Sequence, residues 1–134
     1  MVRIPKTIVQ KIISHARSTA PNECCGLLTG RDGTVERHYP LTNIENSPVS
    51  YMIDPKEQFQ VFKEMRTDKN ELIAIYHSHP ATEAYPSATD VRLAFYPDSA
   101  YIIVSLMNPE EPAVKGYRIV NETISPEELD ILAS

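Results

Sequence analysis

Two histidines one residue apart, His77-Ser78-His79, follow the apolar stretch Leu72-Ile73-Ala74-Ile75-Tyr76. If that stretch is a strand running on through the histidines, imidazoles at i and i+2 project from the same face. That geometry chelates, and it lies at the end of a buried strand, where α/β proteins place ligand sites. Taken alone, the pair reads more simply as two polar residues leaving a strand, hydrogen-bonded to backbone or water. Ser87 and Asp90 change the balance. Ser-x-x-Asp is a helix capping box, with the hydroxyl at the N-cap and the carboxylate in the first turn. A helix start therefore gathers a hydroxyl and a carboxylate at one point, and the residues from Pro80 to Pro86 can return the chain to the strand end. Two neutral imidazoles and one carboxylate leave the fourth tetrahedral position open, the ligand count of a catalytic zinc site. His77, His79 and Asp90 are the candidate metal ligands.

The elements that must position these groups can be read from periodicity. Apolar residues at Ile4, Ile8, Val9, Ile12, Ile13 and Ala16 have helix spacing, Pro5 suits a first turn, and Pro21 lies beyond the end. Cys24-Cys25-Gly26-Leu27-Leu28-Thr29-Gly30, the turn Arg31-Asp32-Gly33 and the segment Thr34–Tyr39 read as a β-hairpin. Tyr51-Met52-Ile53 is a possible further strand. Asp54-Pro55-Lys56-Glu57 predicts a helix start with an Asp N-cap, Pro at the first position and Glu reaching back, and with Phe59, Phe62 and Met65 facing inward. Leu72–Tyr76 lacks polar alternation, which predicts a strand covered on both faces. A helix is expected over Ser87–Tyr96, strands over Tyr101–Met107 and Val114–Val120, and a short C-terminal helix from Ser125-Pro126-Glu127-Glu128. The order α-β-β-(β)-α-β-α-β-β predicts an α/β fold, a mixed sheet with helices packed on it.

The chain has 134 residues, 42% hydrophobic and 23% charged, which suits one folded domain over 1–134. No apolar run approaches the ~20 residues that span a bilayer, and the N-terminus lacks a signal-peptide pattern, so no membrane partner and a cytoplasmic location are expected. Net charge is −5 with 13 scattered basic residues, a poor match for nucleic acid. Cys24 and Cys25 are adjacent and cannot form an ordinary structural disulfide with each other; they are expected to pack as small hydrophobes. His15 and His38 have no partner pattern and are expected to be structural or surface residues. Asn43 sits in a turn-rich stretch, where a turn role is the simplest reading. That stretch and the loop Ala81–Tyr85 are candidate substrate contacts.

His77-Ser78-His79, then seven residues, then Ser87 and Asp90, resembles the His-x-His-x7-Ser-x-x-Asp signature of the JAMM (MPN+) metalloproteases. The segment Pro21-Asn22-Glu23-Cys24-Cys25-Gly26-Leu27-Leu28 resembles the family's upstream glutamate element. The likeness runs from the first helix through the closing strands and matches the compact stand-alone prokaryotic type. It implies the JAMM/MPN, cytidine-deaminase-like architecture and one catalytic Zn²⁺ on His77, His79 and Asp90. It further implies Glu23 as proton acceptor and Ser87 as the donor to the oxyanion; pattern alone does not single Glu23 out from Glu45, Glu57, Glu71 or Glu83. The implied activity is hydrolysis of a peptide or isopeptide bond, at the C-terminal diglycine tail of a ubiquitin-like or sulfur-carrier protein. Metal-free relatives of the fold serve as protein-binding scaffolds, the alternative reading, but they lose ligand residues that this chain keeps. The zinc deaminase signature and the His-Glu-x-x-His helix are absent, and a TIM barrel needs ~200 residues or more.

Overall fold

The computed structural model describes residues 1–133. Strands β1 (Val2–Pro5), β2 (Cys25–Arg31), β3 (Thr34–Leu41), β4 (Glu71–His79), β5 (Ala100–Ser105), β6 (Ala113–Val120), β7 (Thr123–Glu127) and β8 (Leu129–Leu132) form one sheet, with helices α1 (Lys6–Thr19), α2 (Pro55–Asp68) and α3 (Ala88–Arg92). The strand order is β7-β6-β5-β4-β2-β3-β1-β8. β4 pairs parallel with β5, and β1 pairs parallel with both β3 and β8. The remaining pairings are antiparallel, so the expected mixed sheet is present.

Strand alternation feeds two cores. Leu28, Tyr76, Ile102 and Val104 pack with Ile8, Val9, Ile12 and Ala16 of α1. Their chain neighbours Leu27, Ile75 and Tyr101 turn to the opposite face, against Val61, Phe62 and Met65 of α2 and Val91 of α3. β4 is thus covered on both faces, as its unbroken apolar run requires. Helix α2 begins where expected, with the Asp54 carboxylate accepting from Lys56 N at 2.9 Å. Glu57 does not reach back. Its carboxylate takes the Thr42 N–H at 2.6 Å and the Thr42 hydroxyl at 2.9 Å. Phe59 lies 63% exposed, so Val61 replaces it on the inner face.

Four further expectations are corrected. The first helix starts at Lys6, because Val2–Pro5 pairs with β8 along the full register Val2↔Leu129 to Pro5↔Leu132; Pro5 is the N-cap. The C-terminal helix is absent: Ser125-Pro126-Glu127 belongs to β7, joined to β6 by a hairpin with Asn121 and Glu122 both at positive φ. Such φ values build the two-residue turn that matches strand twist, and the cross-strand ladder overrides the cap signal. Pro126 is tolerated because β7 is an edge strand. Tyr51–Ile53 forms no strand, only an isolated bridge from Asn43 to Ile53. The helix expected over Ser87–Tyr96 stops at Arg92, because Pro97 disfavours helical backbone at Tyr96 and the Tyr96 N–H turns to the Tyr101 hydroxyl at 3.0 Å.

His15 and His38 are structural, and they share one partner. His15 Nδ1 and His38 Nε2 each lie 2.7 Å from the buried Tyr76 hydroxyl. One phenol proton serves only one nitrogen, so the other imidazole must donate to the oxygen. A second imidazole proton would leave the phenol O–H without an acceptor. Burial lowers the His38 pKa to about 4, helped by His15 and Lys11, and burial lowers that of His15. Below the ordinary value near 6.5 the unfolded chain takes up protons that the fold refuses. Stability from this pair is therefore fully present above that value and lost as pH falls toward about 4. Chemical denaturation at pH 7 and pH 5 should show a smaller acid loss in His38→Gln than in the parent; an unchanged loss would exclude His38 as its source.

Candidate metal centre

β4 carries His77 and His79 past its apolar run, side by side on the face away from α1, both buried. A loop returns the chain to Ser87, which caps α3 through the expected box: Ser87 Oγ accepts from Asp90 N at 3.1 Å, and Asp90 Oδ2 accepts from Ser87 N at 2.9 Å. The cap aims Asp90 at the strand end. Its Oδ2 lies 3.1 Å from His77 Nε2 and 3.0 Å from His79 Nε2, and those nitrogens are 3.1 Å apart. One ligand atom from each residue falls within 4.8 Å of the others.

The donor set fits a cation. His79 Nδ1 donates to the Glu83 carbonyl at 2.8 Å, so in the neutral ring Nε2 carries a bare lone pair. That lone pair points at a carboxylate oxygen and a second ring nitrogen. Only a proton or a metal ion relieves the repulsion. Burial lowers the His79 pKa, but its bonds to Asp90 and Glu83 outweigh burial and raise it. Burial opposes ionisation of Asp90, yet hydrogen bonds from His77 and His79 hold its carboxyl far below the usual range. A divalent ion at the same point would satisfy all three groups.

Glu23 ends the connection between α1 and β2, and it is 3% exposed with Oε1 lacking a hydrogen-bond partner among the described residues. Burial pushes its carboxyl up to about 8; the charges of His79 and Asp90 act on it as well, in opposite directions. Glu23, His79 and Ser87 line one cavity of about 760 Å³. The Ser87 hydroxyl accepts from the helix and keeps its own proton free to donate into this space. Cys24 and Cys25 are free and buried, and burial pushes their thiols to about 11 and about 12, as packing residues require.

The chain as a whole has counterparts in known proteins. The model for prokaryotic homologs of the JAB domain matches residues 5–120. The chain belongs to this prokaryotic JAB-domain family. Among JAB-domain relatives, it is 42% identical over 127 residues to the CysO-cysteine peptidase of Mycobacterium tuberculosis, covering 93% of this chain and 87% of the relative. It is 37% identical over 101 residues to a desampylase of Haloferax volcanii, covering 70% and 73%. A solved structure of protein DSY2949 from Desulfitobacterium hafniense superposes with a TM-score of 0.91 at 42% identity, covering 100% of this JAB-domain chain and 94% of that one.

Two residues near the candidate metal group do work that the sequence did not specify. Tyr51 stacks on His77, with ring centroids 4.5 Å apart and planes at 22°. Asn43, read as a turn residue in a stretch that was also a candidate substrate contact, is 7% exposed and bonds directly to the Glu23 carbonyl at 3.0 Å. Neither follows a spacing rule, because both act through one irregular segment folded over the strand end. The loop Ala81–Tyr85, considered only for substrate contact, supplies the carbonyl that orients His79.

Proposed function

We propose that the chain is a zinc-dependent hydrolase that cuts the peptide or isopeptide bond after the C-terminal tail of a ubiquitin-like or sulfur-carrier protein. The observation that carries the reading is the convergence of His77 Nε2, His79 Nε2 and Asp90 Oδ2 within 3.1 Å of one another, beside a buried carboxyl. The names of the relatives, a CysO-cysteine peptidase and a desampylase, support amide hydrolysis on small protein carriers.

Zinc, when bound, supplies a Lewis acid and lowers the pKa of water toward ~7. The remaining work falls to protein groups. Glu23, in its carboxylate form, accepts the proton of the attacking water and delivers it to the leaving amine. Ser87 donates its free hydroxyl proton to the oxyanion as the carbonyl becomes tetrahedral. His79, locked by Glu83, and His77 keep their Nε2 atoms aimed inward.

The test is a carrier protein extended past its C-terminal glycine by an amino acid or a lysine-linked peptide. Cleavage after that glycine, abolished by chelator and restored by zinc, is expected. Carefully purified protein that takes up no zinc, together with an inert His77→Ala change, would instead favour a scaffold.

A further inference from the structure

Imidazoles that bind metals are normally held from behind: the ring nitrogen turned away from the metal donates to a carbonyl or carboxylate, fixing tautomer and orientation. His79 has this support from the Glu83 carbonyl. His77 does not. Its Nδ1 is buried with no hydrogen-bond partner among the described residues. What faces the His77 ring is Tyr51, stacked at 4.5 Å and 22°.

We propose that Tyr51 is a positioning residue for His77, its aromatic face holding the imidazole plane that no hydrogen bond fixes. The inference rests on His77 being a metal ligand. An imidazole turns about a broad, shallow torsion, so without a hydrogen bond its aim depends on what packs against it. A phenol face is electron-rich, and an imidazole polarised by a metal is electron-poor, so the contact strengthens in the loaded state.

Tyr51 is itself held firmly. The Asn43 side chain clamps the residues on either side: Nδ2 donates to Ser50 O at 3.1 Å, and Oδ1 accepts from Met52 N at 3.1 Å. The same amide donates to Glu23 O at 3.0 Å and accepts from Glu45 N at 3.0 Å. Two backbone bonds close the segment, Ile44 N to Met52 O at 2.9 Å and Glu23 N to Ser47 O at 2.8 Å. One buried amide thus ties the tyrosine over His77 to the backbone of the proposed base.

Zinc affinity, measured by competition with a chromogenic chelator, separates a face from mere bulk. Tyr51→Phe keeps the ring and should bind zinc within about twofold of the parent. Tyr51→Leu keeps volume without the face and should bind about 10–100-fold more weakly, the range for lost ligand support. Its cobalt-substituted form should show an altered visible spectrum. The melting temperature of the chelator-treated protein, compared across both variants, reports any general loss of fold. Tyr51→Leu binding zinc as the parent does would overturn the proposal, as would equal weakening in Tyr51→Phe. A parent protein that binds no zinc would remove the metal reading and this inference with it, an outcome distinct from either.

Discussion

Glu23→Gln should hold zinc as tightly as the parent while kcat falls by about 10²–10⁴, the range for loss of a positioned general base. The substitution keeps size and shape and removes only the capacity to take a proton. Glu23 is not among the ligand atoms that cluster within 4.8 Å, so the metal should stay. Because Glu23 is nearly fully buried with one carboxyl oxygen unpaired, an amide also fits without bringing a charge that needs a partner. Zinc content by metal analysis and single-turnover rates on a carrier fusion decide it together. Full turnover in the glutamine variant would strip Glu23 of its role, while loss of zinc would make it a ligand.

A large loss of stability is expected from Gly26→Ala. Gly26 sits in β2 between β3 and β4, and a Cβ there would lie 2.3 Å from the Tyr76 ring and 2.5 Å from the Tyr39 carbonyl oxygen. Neither neighbour yields easily. The carbonyl belongs to the β3 ladder, and the Tyr76 ring is anchored at its hydroxyl by His15 and His38. Overpacking of such a site costs about 3 kcal/mol or more, because relief must come from the backbone or from the anchored phenol. Urea denaturation of the two proteins measures it. A change below about 1 kcal/mol would show that the Tyr76 cluster moves more freely than its contacts imply.

The His77-His79-Asp90 cluster was legible because its parts are local and periodic. His77 and His79 share a face through strand alternation, and Ser87 and Asp90 announce a helix start in a short loop's reach. The helix α2 cap and the β2–β3 hairpin were readable for the same reason. Glu23 was not. It looks like any glutamate opening a strand, and only likeness to a family singled it out. The edges of the sheet were misread where long-range pairing decided the outcome. Val2–Pro5 and Leu129–Leu132 have little intrinsic signal, yet each supplies the other's ladder. Ser125-Pro126-Glu127-Glu128 carries a genuine capping pattern, which loses to a hairpin from β6. The contacts of Asn43 and Tyr51 were not legible because their work is tertiary: one satisfies four backbone groups, and the other covers a ring reached from a different strand.

Only thirteen positions separate His77 from Asp90, so all three proposed metal ligands come from one short stretch of chain. A chain that has lost its sheet still holds those side chains within loop-closure distance, so a metal can also bind such a state, more weakly for want of Tyr51. Binding to the unfolded ensemble subtracts from the thermal protection that a tight ion otherwise confers. Glu23 and Tyr51 enter from distant parts of the sequence and find the ion only in the finished fold. Zinc content therefore needs a rate measured beside it: on heating, turnover should be lost before the ion is.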